Sequence, residues 1–304
     1  MRFSVVTPSY NQLERLELCI ASVRDQVSPE GDDWRVTSGV SDEAPALPLI
    51  IEHIVCDGGS LGIEDFKKGM LERFPETPTH RLEFVIGPDV GMYDAINKGL
   101  HRAKGDVCSY LNCDEQLLPG ALGHVRGFLN RRPEVEVVFG DSILVDSQGA
   151  ALCYWRPYVP TLNHLSGATL NTLSCSTFFR RSIIEQGHFF EPQWKTIGDL
   201  QWVRSLLVQH RSMDCIHLPL AAFAFLGENL GAGQVAKEEF EKTRAARLGA
   251  QRIFRRGIHF VRKLASGAYV RRNVTYDLFA LDNSRQRQRF NHPSLGWTWP
   301  GSRG

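Results

Sequence analysis

Short β-branched runs alternate with helix-spaced apolar repeats through the first 140 residues, and this alternation limits the fold more than any other feature of the chain. Residues 3–7, 50–56, 83–86, 107–111 and 135–139 read as buried strands. Between them Leu13, Leu16, Ile20 and Val23, and then Met92, Ala95, Ile96, Leu100 and Ala103, fall at helical spacing. Such alternation predicts an α/β fold, a mostly parallel sheet flanked by helices on both faces. After Gly140 the alternation breaks. Residues 142–155 predict a hairpin turning at Ser147, Gln148 and Gly149, 173–179 another strand, and 180–185 and 199–209 further helices. A long amphipathic helix is predicted over 235–264, and residues 28–49, rich in Pro, Gly, Ser and acids, read as a surface insertion.

With 304 residues, 42% hydrophobic and 23% charged, the chain can bury a sizeable core, which excludes disordered, collagen-like and disulfide-scaffold classes. Its longest strongly apolar stretch, 218–226, is far short of the ~20 residues that span a bilayer, and the N-terminus has no signal-peptide pattern, so a cytoplasmic protein is expected. Seven cysteines, odd in number and without a CxxC pair, point to reduced thiols rather than staples or a structural zinc. The formal charge of +1 hides an asymmetry: residues 241–304 carry 14 Lys and Arg against three acids, a balance of +11 that leaves −10 on the rest. A basic, aromatic-containing tail suits an anionic partner such as an anionic membrane surface, and a solvated basic helix accounts for it equally well. A nucleic-acid partner would rest on the tail alone and is not expected.

In parallel sheets ligands sit beyond the carboxyl ends of the strands, so the residues just after each strand are the candidates. They are Thr7, Pro8, Ser9, Tyr10 and Asn11; Asp57, Gly58, Gly59 and Ser60; Asp89, Gly91, Tyr93 and Asp94; and Asn112, Asp114 and Glu115. Carboxylates bind hard cations and glycines admit a phosphate close to the backbone, so this set suits a nucleotide with a divalent cation. No GxGxxG follows the first strand and no GxxxxGK[ST] occurs, which disfavours dinucleotide and P-loop sites.

Four segments, FSVVTPSYN at 3–11, IVCDGGS at 54–60, GMYDAINKG at 91–99 and LNCDE at 111–115, stand in an order and spacing that resemble family 2 glycosyltransferases. FGD at 139–141, STFFRR at 176–181 and GD at 198–199 extend the resemblance over roughly residues 1–230. It implies a GT-A fold over 1–230, with a nucleotide-sugar-binding half at 1–115 and a mixed acceptor-binding half at 116–230; residues 231–304 are then a helical basic C-terminal extension. It implies an inverting transfer from a nucleotide diphosphate donor, a UDP-sugar first, to a hydroxyl of a glycan or lipid-linked acceptor in polysaccharide or surface-glycan biosynthesis. By the same resemblance Thr7, Pro8, Tyr10, Asp57, Asp94, Asn97, Asn112 and Cys113 match nucleotide-sugar-binding positions. Asp114 matches the ligand of Mn²⁺ or Mg²⁺, and Asp199 the catalytic base. Asp199 at a helix start also has a structural role open to it, that of an N-cap. Trp194 and Trp202, which flank Asp199, are candidate acceptor-stacking residues, and core packing is the competing role for both. Leu61, Glu115 and the stretch 226–229 depart from the family pattern, which keeps a second possibility open: a catalytically degenerate nucleotide-sugar-binding scaffold.

Overall fold

The computed structural model describes residues 1–27, 48–165, 170–226, 234–243, 249–281 and 286–300. Four parallel strands open the sheet: β1 (Arg2–Ser9), β2 (Ile50–Asp57), β3 (His80–Ile86) and β4 (Val107–Tyr110), in the order β3-β2-β1-β4. From Phe3 to Ser9 every residue of β1 is buried, because helices cover both faces of the sheet there. The helix α1 (Leu13–Arg24) lays Leu16, Cys19, Ile20 and Val23, one helical stripe, against that core. On the same connections follow α2 (Ile63–Arg73) and α3 (Met92–Leu100).

The second half differs from simple continuation of the parallel pattern. After the short β5 (Gln116–Leu117) and the helix α4 (Ala121–Arg131) come β6 (Val137–Val145) and β7 (Ala151–Trp155), the predicted hairpin. The stretch expected as a strand over 173–179 is a 3₁₀ turn at Ser174–Ser176 leading into β8 (Thr177–Arg180). That strand inserts antiparallel between β4 and β6, so the first and second halves meet through a reversed strand. The long β9 (Met213–Ala224) runs parallel to β6 and is met by β5 from the other side. Between them lie the one-turn helices α5 (Leu162–Leu165) and α6 (Ser182–Glu185), then α7 (Gly198–Val208).

The C-terminal segment is helical only in part. Within the span of the helix expected over 235–264 lie α8 (Gln234–Thr243) and α9 (Gly249–Ala265), with 244–248 outside the described residues. A hairpin of β10 (Arg272–Phe279) and β11 (Arg287–Leu295) follows. Alternate residues Val274, Tyr276, Leu278 and Leu295 bury against Ile143, Val145, Tyr154 and Ala222, giving a two-residue period that a helix reading cannot accommodate. The surface insertion expected at 28–49 lies almost wholly outside the described residues, as does most of 226–229. Among the described residues no helix is long and apolar enough to cross a membrane.

Candidate active site

Pairing of Ser9 with Asp57 and of Val6 with Tyr110 brings the carboxyl ends of β1, β2 and β4 to one edge of the sheet. At that edge the Asp57 carboxylate accepts the N–H of Gly59 (2.9 Å) and of Ser60 (2.6 Å) and the Ser60 hydroxyl (2.8 Å). Ser60 Oγ accepts in turn from the N–H of Asn11 (2.6 Å), which ties the loop after β1 to the loop after β2. Gly58 sits where a Cβ would fall 2.8 Å from Asp89 Oδ2 and 3.1 Å from the Tyr10 ring, so only glycine allows those two side chains to close over this backbone. Tyr10 itself is 63% exposed, an aromatic face open at the strand ends.

The loop after β4 is held from within. Glu115, buried, accepts the Asn112 N–H (2.8 Å), the Asn112 amide (3.2 Å) and the Ser174 hydroxyl (2.9 Å). Burial and the neighbouring Asp114 charge push its carboxyl up to about 8. Asn112 Oδ1 is buried without a hydrogen-bond partner, and the Asp114 carboxyl is also raised by burial, against the lowering pull of its own amide and of Arg15. Two hard oxygen donors therefore stand in this loop, the kind a Mg²⁺ or Mn²⁺ ion takes. Among the described residues no group of three His, Cys, Asp or Glu side chains could hold a metal ion alone, so such an ion would draw its further ligands from a bound diphosphate and water. A cavity of about 170 Å³ borders Asp114 between Arg15, the turn at Ser147 and Gly149, and Phe290 of the terminal hairpin. Asp114 is the sole sequence-predicted site residue on its wall.

Asp199 lies in the first turn of α7 and is joined to the donor-side helix α3 by Tyr93. The Tyr93 hydroxyl accepts the Asp199 N–H (3.1 Å) and lies 3.4 Å from both Asp199 Oδ1 and the Thr196 carbonyl. A Cβ at Gly198 would meet the Tyr93 ring at 2.5 Å, which explains the glycine before the aspartate. Burial pushes the Asp199 carboxyl up to about 6, despite hydrogen bonds from Leu200 N–H and Tyr93 that pull it down. Its Oδ1 accepts the Leu200 N–H at 2.7 Å rather than the N2 or N3 amide of a regular N-cap, and Ile197 occupies the cap position.

Not every sequence-predicted residue faces this edge. Thr7 is fully buried and its hydroxyl meets His53 Nε2 (2.8 Å) and Cys19 Sγ (3.6 Å), so its side chain belongs to the core under the site. Pro8 is buried in β1 as well. Asn97 spends both ends of its amide on the Phe190 backbone, donating to the carbonyl (2.7 Å) and accepting the N–H (3.0 Å); it clamps α3 to the 190 loop. Trp202 is 3% exposed and stacks on Phe190 at 4.9 Å, a core residue that the expectation of acceptor stacking misplaced. Trp194 is half-buried and donates to Glu191 (3.0 Å). Cys113 is buried with its thiol pushed up to about 12 by burial, and its Sγ lies 3.7 Å from Gln12 Oε1. Asp94 accepts the Val90 N–H (3.1 Å) and pairs with Lys98 (3.0 Å); burial raises its carboxyl, and these two partners bring it below its ordinary value. Of the residues named in sequence only as lying beyond the third strand, Tyr93 joins α3 to Asp199, and Asp89 closes over Gly58. The signal that could have singled out Tyr93 was its place in the GMYDAINKG run.

The chain resembles known proteins in both sequence and shape. A family model described as Glycosyl transferase family 2 matches residues 4–187. A PGL/p-HBAD biosynthesis glycosyltransferase of Mycobacterium bovis (strain BCG / Pasteur 1173P2) is 27% identical over 143 residues, 47% of this chain and 47% of its own length. One from Mycobacterium tuberculosis (strain ATCC 25177 / H37Ra) matches to the same extent, so the chain spans about half the length of the curated relatives it matches. Among solved structures, S. aureus TarS 1–349 in complex with UDP-GlcNAc superposes with a TM-score of 0.57 at 16% identity, over 80% of this chain and 64% of that one. The mannosyltransferase PcManGT from Pyrobaculum calidifontis, in complex with GDP-Man and Mn²⁺, gives 0.50 at 17% identity, over 88% and 64%. At these identities the likeness concerns the fold, a mostly parallel GT-A sheet flanked by helices. The family model covers well over half of the residues, and the chain belongs to glycosyl transferase family 2.

Proposed function

We propose that this chain transfers a sugar from a nucleotide diphosphate donor, a UDP-sugar, to a hydroxyl of a glycan or lipid-linked acceptor, with inversion at the anomeric carbon. The observation that carries the reading is Asp199: a carboxyl pushed up to about 6 and tied through Tyr93 to the helix beside the donor edge. A base poised near neutral pH suits proton removal from an alcohol. The ligands of the TarS and PcManGT structures, UDP-GlcNAc and GDP-Man, and the biosynthetic role in the mycobacterial relatives' name support the substrate class.

In this reading Tyr10 offers its exposed ring to the base, and the backbone of Gly58 and Gly59, turned by Asp57, approaches the donor. Asn112 and Asp114 would hold a divalent cation, Mn²⁺ or Mg²⁺, which when bound neutralises charge on the diphosphate. Asp199 takes the proton of the acceptor hydroxyl as its oxygen attacks the anomeric carbon. The bond from that carbon to the diphosphate oxygen breaks, and its electron pair leaves on the nucleoside diphosphate. One displacement from the opposite face inverts the centre. The basic C-terminal segment, in the same reading, meets an anionic membrane on the cytoplasmic side that presents the acceptor.

The test uses UDP-GlcNAc, UDP-glucose and GDP-mannose as donors and a crude glycolipid extract as acceptor. Asp199→Asn is expected to bind UDP like the wild type in calorimetry and to lose transfer by ~10² to 10⁴-fold. Near-normal transfer by that variant would remove Asp199 from the role of base. Binding of a nucleotide sugar by the wild type with no transfer would favour the scaffold reading instead.

A further inference from the structure

We propose that Glu239, on a helix outside the span matched to the family, is the positioning residue that sets Asp199 for proton transfer; the inference rests on the assignment of Asp199 as base. The Glu239 side chain comes from α8 and is 5% exposed. Its Oε1 accepts the Lys195 N–H at 2.6 Å. Its Oε2 accepts the Thr196 N–H (2.9 Å), the Thr196 hydroxyl (2.7 Å) and the Ile197 N–H (3.2 Å). Four donors thus converge on one carboxylate from three consecutive residues that end at the cap position of α7, two before Asp199.

Two of these three residues, Lys195 and Thr196, are also gripped from the donor side. Lys195 Nζ donates to the Val90 carbonyl, and the Thr196 carbonyl lies within reach of the Tyr93 hydroxyl (3.4 Å). Segment 195–197 is therefore a bridge between the loop after β3 and α8, and Asp199 hangs from it. Burial raises the Glu239 carboxyl, yet the donors from Lys195, Thr196 and Ile197 hold it below its ordinary value, so it is ionised at neutral pH. A buried charge is a costly way to anchor a helix. Here α8 already has apolar anchors in Ala236, which is buried, and Phe240, which packs on the main core cluster. The carboxylate is thus free to serve the loop rather than its own helix.

The test is Glu239→Gln in the full chain, read by hydrogen exchange of amides 195–200 and by carboxyl ¹³C NMR titration of Asp199. Gln offers one acceptor oxygen in place of two, so at least one of the four donors loses its partner. Protection of 195–200 should fall about tenfold or more, and the Asp199 midpoint should drop from about 6 toward the ordinary carboxylate range as water enters. Tyr93 and Tyr110, the other titratable groups facing Asp199, are held far above neutral by burial, so a change near pH 6 reports on Asp199 itself. Thr196→Val, which deletes only the hydroxyl bond, should move both readouts the same way by less. Faster exchange confined to 234–243, with 195–200 and the Asp199 midpoint unchanged, would overturn the inference. If Glu239→Gln does not fold, Thr196→Val decides, and wild-type values in both readouts overturn it. Full transfer by Asp199→Asn would end the base assignment itself. An inactive Asp199→Asn beside a Glu239→Gln that matches wild type in both readouts would end only the inference about Glu239.

Discussion

Asp199 and Asn97 differ in how fully the fold uses their polar atoms. Asn97 has both amide ends bonded to the Phe190 backbone, whereas Asp199 keeps Oδ2 free of any protein donor among the described residues. The difference is one of hydrogen-bond capacity, which a sequence does not display. It also predicts the pH dependence of the reaction. A base must be ionised to accept a proton, and burial moves the Asp199 midpoint to about 6. Transfer should therefore fall tenfold per pH unit below about 6 while UDP binding holds, with the acid limb well above that of an exposed aspartate near ~3.9. A rate profile by discontinuous transfer assay checks this, and a limb near pH 4 would mean that Asp199 is solvated in the working enzyme.

At the scale of elements, α9 reverses part of what its composition suggests. Arg262 would be expected among solvated headgroup-facing cations, but it donates to the Val159 carbonyl (2.7 Å) and lies over the Tyr158 ring at 4.8 Å. Lys263 likewise sits over Trp155 at 4.5 Å. The cations at this end pack inward on aromatic faces, and Phe260, Val261 and Leu264 stand outward, each more than half exposed. An outward apolar edge on a strongly basic segment fits an anionic lipid interface. Flotation with phosphatidylglycerol vesicles at low salt should recover the protein, with less recovery at high salt and little with phosphatidylcholine. The triple change of Phe260, Val261 and Leu264 to Ser should weaken that binding by ~10-fold or more. Equal recovery with neutral and anionic vesicles, or no effect of the triple change, would return the segment to a solvated role.

For the whole molecule, the interior between the sheet and α1 carries an acid sensitivity of its own. His53 and His80 are buried, and three of their four ring nitrogens have no hydrogen-bond partner. Burial, helped at His80 by the Arg24 charge, lowers that imidazole to about 4, and burial with the His80 charge lowers His53 to about 3. The unfolded chain, with histidines near ~6.5, binds more protons between these values, so this stability is complete above ~6.5 and is lost as pH falls toward 4. His80→Phe removes no hydrogen bond made by the ring. It should leave the unfolding free energy at pH 7 unchanged or higher and spare about 2 kcal/mol of the loss at pH 5, read by urea unfolding at both pH values. Asp199 and Glu115, raised to about 6 and 8, act in the opposite direction but are common to both proteins and cancel in the comparison.

The amino-acid sequence by itself determined the parallel half of the sheet and the order of its motifs. Strands β1 to β4 and the helices between them depend on local apolar periodicity, and the residues beyond each strand follow from where the periodicity stops. It also put Asp57 and Asp114 at or just beyond the ends of strands of that sheet, whereas Asp199 was singled out only by the family resemblance. Tertiary structure decided what periodicity cannot carry. The reversed β8 between β4 and β6 and the hairpin of β10 and β11 are pairings between segments far apart in sequence, and their register is fixed by the surfaces they cover. The same holds for the inward turn of Thr7 and Trp202 and for the reach of Glu239 to the loop before Asp199. Each depends on which neighbours the folded chain brings within hydrogen-bond or van der Waals distance, and no stretch of sequence contains both partners.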